Sequence, residues 1–162
     1  MKITYRRIKR PEYQFLEEML YEALFVAEGK PKFPRSIIHT PELKKYVENW
    51  GSDPADIAIV VNQGKELIGA IWGRKFQADD KGYGYVDSEI PEITMAIKEG
   101  HRNSGTGTKL LSQIESEYQQ IGVKALSLSV DKLSPAIEFY LRNGYVHFEE
   151  SGTAITMLKH LK

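Results

Sequence analysis

The feature that most constrains this chain is a change of hydrophobic period around a pair of glycines. From Glu92 to Lys98, the residues Ile93, Met95 and Ile97 alternate with Glu92, Thr94 and Ala96, the two-residue period of a strand with one apolar face. From Leu110 onward, Leu110, Leu111, Ile114, Tyr118 and Ile121 recur at helical spacing, and Gly122 marks the stop. Lys124 to Val130 returns to strand and is almost free of charge from Ala125 on, as suits a strand buried on both faces. Between the first strand and the helix lies Arg102-Asn103-Ser104-Gly105-Thr106-Gly107-Thr108. The first backbone N–H groups of a helix have no partner inside it and sit at the positive end of its dipole. A pyrophosphate placed there gains several donors at once. Glycines let the backbone come close, the hydroxyls of Ser104, Thr106 and Thr108 add donors, and Arg102 adds charge. Alone, this pattern supports only an anion site at a helix start, because a tight turn with a helix cap has the same sequence.

The remaining segments extend the alternation. Ile3 to Ile8 reads as a strand, and a helix follows Pro11 with Phe15, Leu16, Met19, Leu20 and Ala23 on one face. Gly29, Pro31 and Pro34 break the pattern. A second helix is expected from Thr40-Pro41 to Gly51, with Leu43, Tyr46, Val47 and Trp50 inward. Asp56 to Val61 and Glu66 to about Phe76 form a hairpin across Asn62-Gln63-Gly64-Lys65, and Tyr83 to Val86 is expected to extend the sheet. Ser134-Pro135 opens a last helix that ends at Asn143-Gly144. Tyr145 to Phe148 and Ala154 to Leu158 close the chain as strands. The order is β-α-α-β-β-β-α-β-α-β-β, a mixed α/β sheet, and no linker divides the 162 residues, so one domain is expected.

Composition narrows the functions. Lys plus Arg and Asp plus Glu both total 22, so the basic excess of a nucleic-acid binder is missing. Arg6, Arg7, Lys9 and Arg10 cluster near the start and read as a solvated strand end. With no cysteine, disulfides, thiolate metal sites and a cysteine nucleophile are all excluded. The four histidines show no metal spacing, and no metal is expected. The start is basic without the apolar run of a signal peptide, and no stretch is long enough to span a bilayer. No membrane partner is expected, and cytoplasmic is the default location.

Three phosphate motifs compete for the loop. A P-loop needs Gly-Lys-Ser/Thr at the helix start, but Lys109 follows Thr108 and precedes Leu110. A dinucleotide fingerprint needs a third glycine where Leu110 stands, although Asp131 lies at a tolerable distance for its acidic residue. The pattern R-x-x-G-x-G/A fits Arg102 to Gly107 at every fixed position. With Met95-Ala96-Ile97 upstream, and with Ala136 to Tyr145 carrying A-x-x-x-Y-x-x-x-G-Y, the segment Glu92 to Val146 resembles the GCN5-related N-acetyltransferase superfamily. One position departs. Leu133 stands where many members have an asparagine that touches the cofactor, and the adjacent Ser134 is the candidate for a polar contact in its place.

The resemblance implies a mostly antiparallel central sheet with flanking helices and a splayed parallel pair of central strands. It implies acetyl-coenzyme A as acetyl donor, held along Ile97, Lys98 and Glu99 and by Arg102, Asn103, Ser104, Gly105, Thr106, Gly107 and Thr108, with Ser134 and Tyr140 beyond. It also implies direct attack by an amine with no acyl-enzyme, and a backbone N–H near Ile97 as the oxyanion donor. The amine must lose a proton, since only about one part in a few thousand of a lysine-type amine is neutral at pH 7. Glu92 is the candidate base, weighed equally against a solvated strand end, with Glu89, Asp87 and His39 as alternatives. Tyr140 is the candidate acid at the leaving thiolate. His101 reads as a phosphate neighbour or a bystander. Phe25 to His39 is expected to govern the acceptor, with Phe33, Trp50, Trp72 and Tyr85 as candidate pocket aromatics. The acceptor is expected to be a small-molecule or peptide amine. Relatives often pair, so a homodimer is a further expectation. The rival reading is an acyl-coenzyme A sensor without catalysis.

Overall fold

The computed structural model describes residues 2–102 and 104–162. The elements follow as β1 (Ile3–Arg7), α1 (Phe15–Ala23), α2 (Pro41–Lys44), β2 (Ile57–Gln63), β3 (Glu66–Arg74), β4 (Glu92–Ile97), α3 (Thr106–Gln120), β5 (Ala125–Asp131), α4 (Ala136–Arg142), β6 (Val146–Ser151) and β7 (Ala154–His160). The order is the one the alternating periods predict. One seven-stranded sheet runs β1-β2-β3-β4-β5-β7-β6, with every neighbouring pair antiparallel except β4 and β5.

Strand alternation sends side chains to two cores. Ile93 of β4 and Leu126, Leu128 and Val130 of β5 join Leu110, Leu111, Ile114 and Tyr118 of α3, and Tyr140 of α4, on one face. On the other, Ala58, Val60, Ala70, Trp72 and Ala96 meet Phe15, Leu16, Met19 and Leu20 of α1 and Tyr46 beyond α2. Tyr118 crosses the first core to donate to the Ala55 carbonyl at 2.7 Å. Its ring occupies the space a Cβ on Gly73 would need.

Two expectations fail, each for a local reason. The second helix is a single turn followed by irregular turns. Arg74 donates to the carbonyls of Lys45 at 2.8 Å and Glu48 at 2.6 Å. The Lys45 carbonyl, which a continuing helix would give to Asn49, is thereby taken, and Asn49 adopts φ 53°. Tyr83 to Val86 does not join the sheet. The Tyr83 N–H instead donates to the Tyr46 hydroxyl at 2.7 Å, drawing this segment across the start of β4. The basic cluster at the start is partly neutralised: Arg6 pairs with Glu12 at 2.8 Å and Arg7 with Glu117 at 2.7 Å.

Arg74 also forms a two-pronged pair with Asp56, at 3.0 and 2.9 Å, and the Asp56 side chain is fully buried. Removing the arginine strands a buried charge, which costs roughly 3–5 kcal/mol. Arg74→Leu is therefore expected to lower Tm by roughly 10 °C in calorimetry. The double variant Asp56→Asn, Arg74→Leu is expected to recover part of that loss.

Candidate active site

The parallel pair meets at one register position, Glu92 beside Ser127, where the Ser127 N–H donates to the Pro91 carbonyl at 3.0 Å. Beyond it β4 stays on β3 while β5 stays on β7, so the two strands part. The Lys98 N–H points into β3, donating to the Ile68 carbonyl at 2.8 Å. By alternation the backbone groups of Met95 and Ile97 point the other way, into the gap. A central strand thus presents N–H donors that no neighbouring strand takes, because the neighbour has moved off.

Glu92 stands at the root of this gap and is 4% exposed, so it is not a solvated strand end. Its Oε2 accepts from the Tyr46 hydroxyl at 2.6 Å. Burial pushes the carboxyl up to about 7, against the hydrogen bond from Tyr46, the Gly84 N–H and the charge of Lys45. Glu92 Oε1 and Ser127 Oγ are both buried, and among the described residues neither has a hydrogen-bond partner. They belong to register partners on one face of the sheet. Gly82 and Gly84 make this environment possible. A Cβ on Gly82 would collide with Glu92 Oε1, and one on Gly84 would lie 2.5 Å from the Leu128 carbonyl carbon. The loop therefore rests directly on the β5 backbone and screens the carboxylate from water. Tyr46, Gly82, Gly84 and Ser127 went unassigned in the sequence. The Gly-Tyr-Gly-Tyr run was the available signal, and it reads as a strand.

The alternative bases lie elsewhere. Glu89 is exposed and pairs with Lys75 at 3.3 Å, Asp87 accepts the Glu89 N–H at 2.9 Å, and His39 is exposed in a 3-10 turn.

At the open end of the gap stands the glycine loop. Gly105 caps α3 with φ 82°, in the left-handed region that favours glycine, and no side chain caps the helix. The N–H groups of Thr106, Gly107 and Thr108 thus lack intrahelical acceptors. Ser104 and Thr106 share a hydroxyl–hydroxyl hydrogen bond of 2.9 Å. Arg102 turns back along β4: its Nε donates to the Ile97 carbonyl at 2.7 Å, and its guanidinium lies 3.5 Å from Glu22. The Lys98 side chain leaves the loop for Glu66 at 3.7 Å, and Glu99 is exposed. Asn103 lies outside the described residues. His101 borders the loop beside Arg102, Ser104 and Thr106 in a small cleft of about 350 Å³. Ser134 accepts the Ala136 N–H at 3.1 Å, and Leu133 beside it is 74% exposed.

Tyr140 lies on the opposite face of the sheet from Glu92, packed edge-on against Phe139 and Tyr145. Burial holds its hydroxyl well above the usual phenol range, so it stays protonated at neutral pH. Among the described residues its hydroxyl has no hydrogen-bond partner, whereas Tyr118 and Tyr145 donate to Ala55 and Glu115. The neighbouring Phe139 reaches the start of α3, where a Cβ on Gly107 would lie 3.2 Å from its ring and 3.5 Å from Met95 Cε.

On the Glu92 face, a cavity of about 800 Å³ opens beside the end of β5. It is walled by the connection after α1, including Phe25 and Phe33, by Asp131 to Leu133, and by the β6–β7 turn at Gly152 and Thr153. Phe33, one of the candidate pocket aromatics, lines this cavity. Trp72 does not: it is fully buried and donates to the Tyr46 carbonyl at 3.1 Å. Trp50 stacks on Arg74 and Tyr85 bonds Ser88. Among the described residues there is no cluster of potential metal ligands, and no helix is long and apolar enough to cross a membrane.

The structure thus sets a helix start with N–H groups that lack intrahelical acceptors beside a splayed parallel pair of strands. The chain belongs to the Acetyltransferase (GNAT) family, whose sequence profile matches residues 16–145. No curated protein sequence matches it. Among solved structures it is similar to the paia N-acetyltransferase of Thermoplasma acidophilum in complex with coenzyme A (TM-score 0.73, 18% identity, 99% of each chain). It is also similar to a GNAT-family acetyltransferase of Staphylococcus aureus Mu50 (TM-score 0.71, 18% identity, 99% of this chain and 100% of that one). A third is yncA, a putative acetyltransferase of Salmonella typhimurium with acetyl-CoA (TM-score 0.68, 15% identity, 99% of this chain and 94% of that one). At these identities the likeness speaks to the fold.

The raised carboxyl has a consequence for stability. Glu92 keeps its proton in the folded chain up to about pH 7 but loses it near 4.5 when unfolded. The stability this contributes is whole below pH 4.5 and is lost as pH rises through 7, by roughly 3 kcal/mol. Glu92→Gln removes the dependence. Its Tm relative to the parent is expected to rise by several degrees between pH 5 and pH 8. A constant difference across that range would show that the folded carboxyl has already lost its proton by pH 5, as the unfolded one has, and that burial does not raise it.

Proposed function

We propose that the protein moves an acetyl group from acetyl-coenzyme A to a primary amine of a small molecule or peptide by direct attack, with no acyl-enzyme. The observation that carries this reading is the opening between β4 and β5, with the buried Glu92 carboxyl on one face of the sheet and the buried Tyr140 hydroxyl on the other. Two of the structural neighbours hold coenzyme A or acetyl-CoA, and the residues here suit the same donor. The first turn of α3 supplies N–H groups to a pyrophosphate, Gly105 and Gly107 admit it closely, and Met95 and Ile97 offer backbone groups to an amide-bearing arm in the gap. The bound thioester supplies the activated acetyl group, and everything else falls to this chain. Arg102, which buttresses the Ile97 carbonyl, fixes the end of β4. It contributes to the site by position as much as by charge.

The amine enters from the cavity face and gives up its proton toward Glu92, whose carboxyl near 7 is matched to neutral pH. Glu92 is level with Ser127, whereas the cavity begins at Asp131, four residues or about 13 Å further along β5. The proton therefore travels along the face that carries Ser127 and Ser129 rather than in one step. The carbonyl oxygen, gaining charge, accepts from the backbone N–H near Ile97. On the other face Tyr140 donates its hydroxyl hydrogen to the departing thiolate, a role its raised, protonated state permits. A sensor that only binds acyl-coenzyme A needs neither group.

Free thiol released from acetyl-coenzyme A across a panel of amines tests this reading. Turnover is expected with at least one amine. Tight coenzyme binding with no turnover on any of them would make the chain a binding domain. With the best amine, Tyr140→Phe is expected to lower kcat about 100-fold while the coenzyme A Kd stays within threefold. An unchanged kcat removes the acid role. Glu92→Gln is expected to abolish the limb near pH 7 in the profile of kcat/KM.

A further inference from the structure

The charges around the large cavity are sorted. Asp131 stands at the C-terminal end of β5, on the same strand face as Ser127 and Ser129, and therefore on the side from which a proton reaches Glu92. Its Oδ1 accepts the Leu133 N–H at 2.9 Å, which fixes the carboxylate and leaves its second oxygen to face a ligand. To the same cavity the connection after α1 contributes Lys30 and Lys32. Both are exposed, and among the described residues neither pairs with a carboxylate within 4.0 Å. The third lysine of the lining, Lys132, is already held by Glu150 at 3.4 Å. Much of the remaining lining is apolar, with Phe25, Val26, Phe33 and Leu133.

Resting on the transferase reading above, we propose that the acceptor is an amine that also carries a carboxylate on an apolar body, an amino acid or short peptide rather than a polyamine. The ammonium goes to Asp131, at the strand end nearest the gap. The carboxylate beside it turns to Lys30 and Lys32, and the aromatic and aliphatic wall covers the apolar body that branches from the carbon carrying both. A cavity of about 800 Å³ lies in the range that encloses small molecules. A polyamine would satisfy Asp131 but bring its remaining charges against two lysines with no counter-charge of their own. The reaction forms the N–acetyl bond and breaks the thioester C–S bond. The amine proton goes to the base and the thiol leaves protonated.

Three probes separate the contributions: phenylalanine, phenethylamine, which keeps the ring but lacks the carboxylate, and spermidine. Each is titrated into the coenzyme A-bound protein by calorimetry and tested as acceptor with acetyl-coenzyme A. Phenylalanine is expected to bind at least tenfold tighter than either of the others. The double variant Lys30→Ala, Lys32→Ala is expected to weaken phenylalanine about tenfold, to leave phenethylamine within twofold and to strengthen spermidine. Both lysines are exposed on a connection, so the variant is expected to keep the parent Tm and coenzyme A affinity. Equal binding of phenylalanine and phenethylamine, tighter binding of spermidine, or a double variant that leaves phenylalanine unchanged would each overturn the proposal. 2-Aminoethyl phosphate is the control for the anion, and its preference over phenylalanine would overturn the carboxylate assignment. These outcomes are read from binding. They stand apart from the failure of the transferase reading, which is absence of turnover on every amine.

Discussion

Everything functional in this molecule depends on two parallel strands that touch once and then separate. Strand pairing is cooperative, and a parallel ladder in the middle of a sheet would normally continue to its end. Here it stops after Glu92 and Ser127 because each strand is held by a different neighbour: β4 by the hairpin of β2 and β3, β5 by β7. The sheet is in effect two antiparallel half-sheets, joined at a point and bridged by α3. Backbone donors that a continuing ladder would have paired are left without a strand partner.

The burial of Glu92 follows from the same geometry. A carboxylate at the root of the opening has β5 on one side and Tyr46 on the other, and the loop through Gly82 and Gly84 closes over it. Burial raises its affinity for a proton, while the Tyr46 hydroxyl and the Gly84 N–H limit the rise. The result is a group balanced near neutrality rather than one locked in either state. On the other face Tyr140 is held among aromatic rings, with no charge near enough to draw its proton away.

Much of this was legible in the sequence, for identifiable reasons. Period changes are local, so the order of elements and the alternation of Ile93, Met95 and Ile97 could be read directly. The glycine loop could be read because positive φ and close approach demand glycine at Gly105 and Gly107. What escaped was set by distant partners. Nothing local says that Arg74 will claim the Lys45 and Glu48 carbonyls and cut the second helix to one turn. Nothing local says that Tyr83 will hydrogen-bond Tyr46 rather than pair as a strand. Arg102 shows the limit within a recognised motif. Its position was expected, yet its side chain braces the strand end and pairs with Glu22. The cavity was foreseen only as a long loop, since its second and third walls come from 100 or more residues further along the chain.

Those walls have one property the rest of the site lacks. Apart from Asp131 at the very end of β5, they are built from connections, the stretch after α1, the link from β5 to α4 and the β6–β7 turn. The donor side, by contrast, is built from β4 and the first turn of α3, whose residues also hold the core together. On the transferase reading proposed above, substitution or a change of length in the connections alters what is accepted without loosening what is donated. The chain separates a part under strong folding constraint from a part free to drift. New acceptors can arise by change at the surface while the chemistry beneath stays fixed.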